Sequence, residues 1–202
     1  SQESLLPAIA SAVGLQIKEN RTPMLQLQDY LRSKELLLLL DGCEGLLAGV
    51  PVFLDLLRGS PYLKLLATSR ARLNVEEEQI YNLAGLQVSL AENRMAAAAC
   101  PAVRLFTSAA RRLRPGFELD EASLASVVTI CAELRGMPLA ILLAAAWAEV
   151  LSPPEILTEI RRSLDFLQAE WADLPARQRS MRLTFDYSWG LLGEDERQLF
   201  QG

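Results

Sequence analysis

Five consecutive leucines, Leu36 to Leu40, stopped by Asp41-Gly42, constrain the fold of this chain more than any other feature. The run has no amphipathic period, neither the two of a half-buried strand nor the 3.6 of a surface helix. Leucine itself favours helix. The shortness of the run and its abrupt stop predict instead a strand buried on both faces of a parallel sheet. Pro51 to Arg58 then reads as a helix, Gly59-Ser60-Pro61 as a turn, and Leu63 to Ala67 as a second buried strand ending at Thr68-Ser69-Arg70. Strand, helix and strand in this order predict a right-handed βαβ unit.

Upstream, Leu5, Leu6, Ile9 and Val13 recur at helical spacing within Glu3 to Val13, and Thr22-Pro23 introduces a second helix from Met24 to Arg32. Glu76-Glu77-Glu78 reads as a solvated loop, and Gln79 to Leu83 as a short third strand closed by Ala84-Gly85. Everything further reads as helix: Ala102 to Leu113, Glu121 to Arg135, Pro138 to Val150, Pro154 to Leu167, Ala176 to Leu192 and Glu194 to Phe200. Pro115-Gly116, Gly136 and Ser152-Pro153 punctuate these helices, and Asp120 and Ser152 are placed to cap two of them. The fold expected is α/β followed by all-α.

At 202 residues, half of them apolar, the chain can bury a substantial core. Its net charge of −5, from 20 basic and 25 acidic residues, gives no overall attraction for nucleic acid or anionic membrane, so direct nucleic-acid binding is not expected. Arg104, Arg111, Arg112 and Arg114 form a basic stretch that reads as cations favoured near a helix C-terminus. Trp147, Trp171 and Trp189 read as packing residues and not as base-stacking platforms. The chain has no histidine, which excludes Ser-His and Cys-His nucleophile pairs. Cys43, Cys100 and Cys131 lack metal-ligand spacing and read as buried thiols of a cytoplasmic protein. The most apolar helix, Leu139 to Val150, reaches only about 18 Å against a hydrocarbon core of about 30 Å, so no membrane span is expected.

Three features carry chemistry. Asp41 ends an apolar strand at the edge where open parallel sheets bind ligands, which is how a carboxylate is presented to a metal-phosphate group. Thr68, Ser69 and Arg70 bring two hydroxyls and a guanidinium to the same edge, and a guanidinium pairs bidentately with phosphate oxygens. The third is Leu134-Arg135-Gly136-Met137-Pro138-Leu139-Ala140, a helix stop and restart in which Gly136 can turn left-handed and Pro138 opens the next helix.

In order and spacing these three elements resemble the STAND class of P-loop ATPases, the NB-ARC-like regulators. There LLLLLDGCE would be the Walker B strand, LLATSR the sensor 1 strand and GMPLAI the Gly-x-Pro motif of the helical subdomain. Val103-Arg104-Leu105-Phe106, Arg179-Ser180-Met181-Arg182 and Phe185-Asp186-Tyr187-Ser188-Trp189 resemble the branch found in bacterial multidomain signalling and transcription regulators. The resemblance implies a truncated parallel ASCE-type sheet over residues 1–90, a helical bundle subdomain over 91–170 and the beginning of a winged-helix subdomain over 171–202. It also implies an ATP/ADP switch, with Asp41 acting through Mg2+, Arg70 reading the terminal phosphate, Pro138 near the adenine, and Thr68, Ser69 and Gly136 in support.

The chain departs from that pattern in having no Gly-x-x-x-x-Gly-Lys-Ser/Thr loop, so the amide cradle and lysine that hold the phosphates are missing. The 202 residues alone are therefore not expected to bind nucleotide tightly or hydrolyse ATP. They read as a fragment whose partners are the rest of a parent chain, an upstream P-loop segment and downstream domains. Gly42 stands where an acidic residue would orient attacking water, with Glu44 nearby. The sheet edge that the missing strand would cover is expected either to cause self-association or to be shielded by a segment of the chain itself. The competing expectation is a helical protein-interaction scaffold that never binds nucleotide.

Overall fold

The computed structural model describes residues 2–19, 21–88, 94–169, 175 and 178–201. The chain forms two compact units, Ser1–Tyr81 and Asn82–Gly202.

The first unit runs α1 (Gln2–Ala12), α2 (Pro23–Leu31), β1 (Leu36–Leu40), a 3-10 helix (Cys43–Gly49), α3 (Val50–Gly59) and β2 (Leu63–Ala67). β1 and β2 pair in parallel, with Leu36 opposite Leu63 and Leu40 opposite Ala67, so the expected βαβ unit is present. In a strand successive side chains alternate between faces. Leu36, Leu38 and Leu40 share one face with Leu63 and Leu65, and there they meet Leu5 and Ile9 of α1, Leu27 and Leu31 of α2, and Phe53 and Leu56 of α3. Val50, Phe53 and Leu56 fall three apart along α3, which is why one stripe of that helix is buried. The 3-10 helix went unread in the sequence because Cys43 to Gly49 lacks helical caps and contains Gly45 and Gly49.

Two expectations are corrected here. The strands are buried on one face only: Leu37, Leu39 and Leu66 are 56%, 66% and 57% exposed. All three helices of the unit contribute to the single apolar cluster on the opposite face, so none remains to cover these leucines. Gln79 to Leu83 is not a strand either: among the described residues the sheet has only β1 and β2. Ile80, Tyr81 and Leu83 lie exposed, without the neighbouring strand that a ladder requires.

The second unit comprises α4 (Arg94–Ala99), α5 (Pro101–Leu113), α6 (Glu121–Glu133), α7 (Pro138–Ala146), α8 (Pro153–Arg162), α9 (Met181–Leu191) and α10 (Glu194–Gln201). Its core gathers Phe106 from α5, Val127 and Ile130 from α6, Ile141 and Leu143 from α7, and Ile156 from α8, all fully buried. Burial of each such side chain stabilises by about 1.5–3 kcal/mol. Both expected caps form: Asp120 accepts a hydrogen bond from the Ser123 amide at 2.7 Å, and Ser152 forms a capping box with Glu155. α8 stops short of the expected Leu167 because Ser163 is extended and its hydroxyl accepts from the Asp165 amide, starting a separate 3-10 turn. Trp147 stacks on Phe166 at 4.4 Å between centroids and donates its indole N–H to the Phe166 carbonyl, a packing role. Trp189 stacks on Phe185. Trp171 and the expected helix start at Ala176 lie outside the described residues. No helix among the described residues is long and apolar enough to cross a membrane.

Candidate functional site

The C-terminal ends of β1 and β2 are tied to each other residue by residue. The Thr68 amide donates to the Leu40 carbonyl and the Cys43 amide to the Thr68 carbonyl, both at 2.9 Å. These bonds carry the strand register one step past the sheet and set Asp41 beside Thr68. The Thr68 hydroxyl donates to Asp41 Oδ1 at 2.6 Å and accepts from the Gly42 amide at 3.0 Å. Gly42 has φ 71°, a conformation that suits glycine, and this bend turns the chain from the strand into the 3-10 helix.

One turn of that helix returns Glu44 to the same edge. Its side chain is only 7% exposed and lies 3.9 Å from the Arg70 guanidinium, whose side chain is 39% exposed. Ser69 serves the turn itself, its hydroxyl accepting from the Ala71 amide at 3.2 Å. Burial, then the neighbouring Glu44 and Asp41 carboxylates, push the Cys43 thiol above its ordinary range, so it stays protonated.

The structure thus brings Asp41 together with Thr68 and Arg70 together with Glu44. Gly136 and Pro138 stand in the second unit, where a local reason for each is visible. Gly136 has φ 66° and is buried, and a Cβ there would collide with the Leu86 backbone, while a Cβ on Gly85 would collide with the Arg135 carbonyl. The Leu86 amide donates to the Gly136 carbonyl at 2.7 Å. Two chain segments therefore approach at a distance that only glycine permits. Pro138 occupies the first turn of α7 and is exposed. Glu44 is the residue whose contact the sequence did not reveal. Its spacing of three from Asp41 was the available signal, legible only if a helical turn directly follows the strand.

Chemically, the strand ends offer an exposed carboxylate, a hydroxyl and a guanidinium. A carboxylate and a hydroxyl are hard oxygen donors, which fits a Mg2+ ion that keeps most of its own waters. Among the described residues no cluster of three or more His, Cys, Asp or Glu forms that could cage a metal without such help.

No known-family profile matches the chain, and no solved structure matches it. It is 33% identical over 193 residues to a "Putative HTH-type transcriptional regulator" of Mycobacterium tuberculosis, a match covering 95% of this chain and 21% of that protein. A protein of the same name in Mycobacterium bovis matches to the same extent. An "Uncharacterized protein" of Mycobacterium tuberculosis is 31% identical over 193 residues, 95% of this chain and 47% of its own length. The chain spans about a fifth of the first of these curated relatives and about half of the last. Along nearly its whole length, then, this chain is similar to one stretch of longer mycobacterial proteins, among them proteins named as transcriptional regulators.

Proposed function

We propose that this chain is the switch segment of a transcription regulator, in which the β1 and β2 ends read the phosphates of ATP or ADP supplied to them by a P-loop elsewhere in the polypeptide. The single observation that carries the reading is the registered edge itself: Asp41 bonded to Thr68, with Arg70 two residues after Thr68 and 3.9 Å from the Glu44 carboxylate. The names of the longer relatives support the regulatory part.

Each residue has a defined part. Asp41 is the carboxylate that would hold Mg2+, with Thr68 orienting it through the hydroxyl bond. Mg2+, when bound, would neutralise phosphate charge. Arg70 is the cation for a terminal phosphate, and Glu44 positions it. Gly136 and Pro138 set the helix junction that the resemblance associates with adenine. Ser69 supports the turn. The chain has no phosphate cradle of its own, so it acts as a reader of nucleotide and not as an autonomous ATPase.

Calorimetric titration with Mg-ATP tests this. The 202 residues alone should show no tight binding, and the full product of the gene should bind. No binding by the full product would overturn the switch and favour the helical scaffold.

A further inference from the structure

The loop that follows β2 is gathered by one side chain. Glu76-Glu77-Glu78 reads in the sequence as a solvated loop, and Glu76 and Glu77 are exposed, but Glu78 is half-buried. Its carboxylate turns back along the chain and accepts hydrogen bonds from two successive backbone amides, Leu73 through Oε1 and Asn74 through Oε2, each at 3.1 Å. Asn74 has φ 56°, a left-handed conformation that asparagine tolerates better than most residues, and this bend lets neighbouring amides converge on one carboxylate. The Glu78 amide donates to the Val75 carbonyl at 3.2 Å, closing the turn that brings the carboxylate round.

The near end of the loop is tied at the strand. The Ser69 hydroxyl accepts from the Ala71 amide, so Arg70 lies inside that turn and three residues before the first amide that Glu78 holds. Glu44 does not fix Arg70 by itself: at 3.9 Å the two side chains are beyond hydrogen-bond distance, and Arg70 is 39% exposed. The direction in which the Arg70 side chain leaves the edge depends on its backbone, and that backbone depends on how the loop beyond it is folded.

We infer that Glu78 is a positioning residue for Arg70, holding the loop so that the guanidinium faces the strand-end site before nucleotide arrives. The inference rests on the reading of the β1 and β2 ends as an ATP/ADP site. Two charge-assisted bonds order the loop in advance, and a preformed loop spares binding the entropy of ordering it. Because Arg70 is the cation for the terminal phosphate, the benefit falls on ATP and not on ADP. Glu78 thereby sets how well the switch tells the two apart. Electrostatics alone argues the opposite sign. A carboxylate in the loop beside a phosphate site repels the ligand, so removing one with no positioning part would tighten ATP binding or leave it unchanged.

Calorimetric titration of the full gene product with Mg-ATP and with ADP tests it, with hydrogen exchange following the Leu73 and Asn74 amides and thermal unfolding confirming that each variant folds. Glu78→Ala should weaken ATP binding about three- to tenfold, leave ADP binding nearly unchanged and speed exchange of both amides. Glu78→Gln keeps one acceptor oxygen and should fall between Glu78→Ala and wild type. Glu77→Ala removes the same charge one residue away and should not weaken ATP binding. With Arg70→Ala already in place, Glu78→Ala should cost no further ATP affinity. ATP affinity unchanged or tightened by Glu78→Ala, equal losses for ATP and ADP, an equal loss from Glu77→Ala, or a full additional loss in the Arg70→Ala background would each overturn the inference and leave the nucleotide reading intact. Absence of ATP binding by the wild-type product, or no loss on Arg70→Ala, would instead overturn that reading and the inference with it.

Discussion

At the scale of single residues, Thr68 and Gly136 hold geometry that their neighbours depend on. Replacing Thr68 with Val removes the donor to Asp41 and the acceptor for the Gly42 amide while keeping the shape. The cost should be about 0.5–1.5 kcal/mol, measured by chemical denaturation, because both bonds are exposed and water takes over part of what they provide. Gly136→Ala adds a Cβ at a positive φ and against the Leu86 backbone, so it should cost about 1–3 kcal/mol. An unchanged unfolding midpoint would show that the 85–86 segment does not press on the junction. The thiols make a third case. Burial raises Cys131 to about 12, with Cys100 adding to the shift, and burial also raises Cys43. All three cysteines are buried and outside any disulfide among the described residues. Near pH 8 a thiol reagent should label Cys43 and Cys131 far more slowly in the folded chain than in denaturant.

At the scale of elements, the caps of α6 and α8 carry a pH dependence. Hydrogen bonds from Ser123 hold Asp120 below its ordinary range, and those from Ser152 do the same for Glu155. A carboxyl depressed in the folded state stabilises at pH values above its unfolded pKa and loses that contribution as pH falls through the lower, folded value. Stability should therefore fall as pH drops below the ordinary carboxylate range, and the fall should shrink in an Asp120→Asn, Glu155→Gln variant. Identical pH profiles would contradict the cap assignment.

Most elements were legible because their signals are local. Pro-initiated helices, an aspartate or serine cap and a short apolar run each need only neighbouring residues. What was illegible depended on distant partners. The leucine run is apolar on both sides, so composition could not tell that only Leu36, Leu38 and Leu40 would find a helix-covered face. Gln79 to Leu83 has strand-like residues but no strand to pair with. For the candidate site, the sequence indicated Asp41 and Thr68. It did not indicate that Glu44 would turn back onto Arg70, which required a 3-10 helix immediately after Gly42.

At the scale of the whole molecule, two compact units are joined through a stretch whose side chains lie largely in solvent: Glu76, Glu77, Tyr81 and Leu83 are all exposed. Cleavage sites concentrate where exposed backbone connects compact parts. A glutamate-specific protease should cut first at Glu76 or Glu77 and leave two fragments matching the units. Earlier cleavage within the α5 to α8 core would contradict that division. In the proposed switch, regulation lies in how nucleotide bound elsewhere in the polypeptide engages the strand ends of the first unit. The most direct measurement is the Mg2+ dependence of ATP affinity in the full gene product, compared with its Asp41→Asn variant. Mg2+ should tighten ATP binding by the wild-type protein and do so much less in the variant. The same Mg2+ dependence in both would contradict the assignment of Asp41, and with it the reading of these strand ends as a nucleotide sensor.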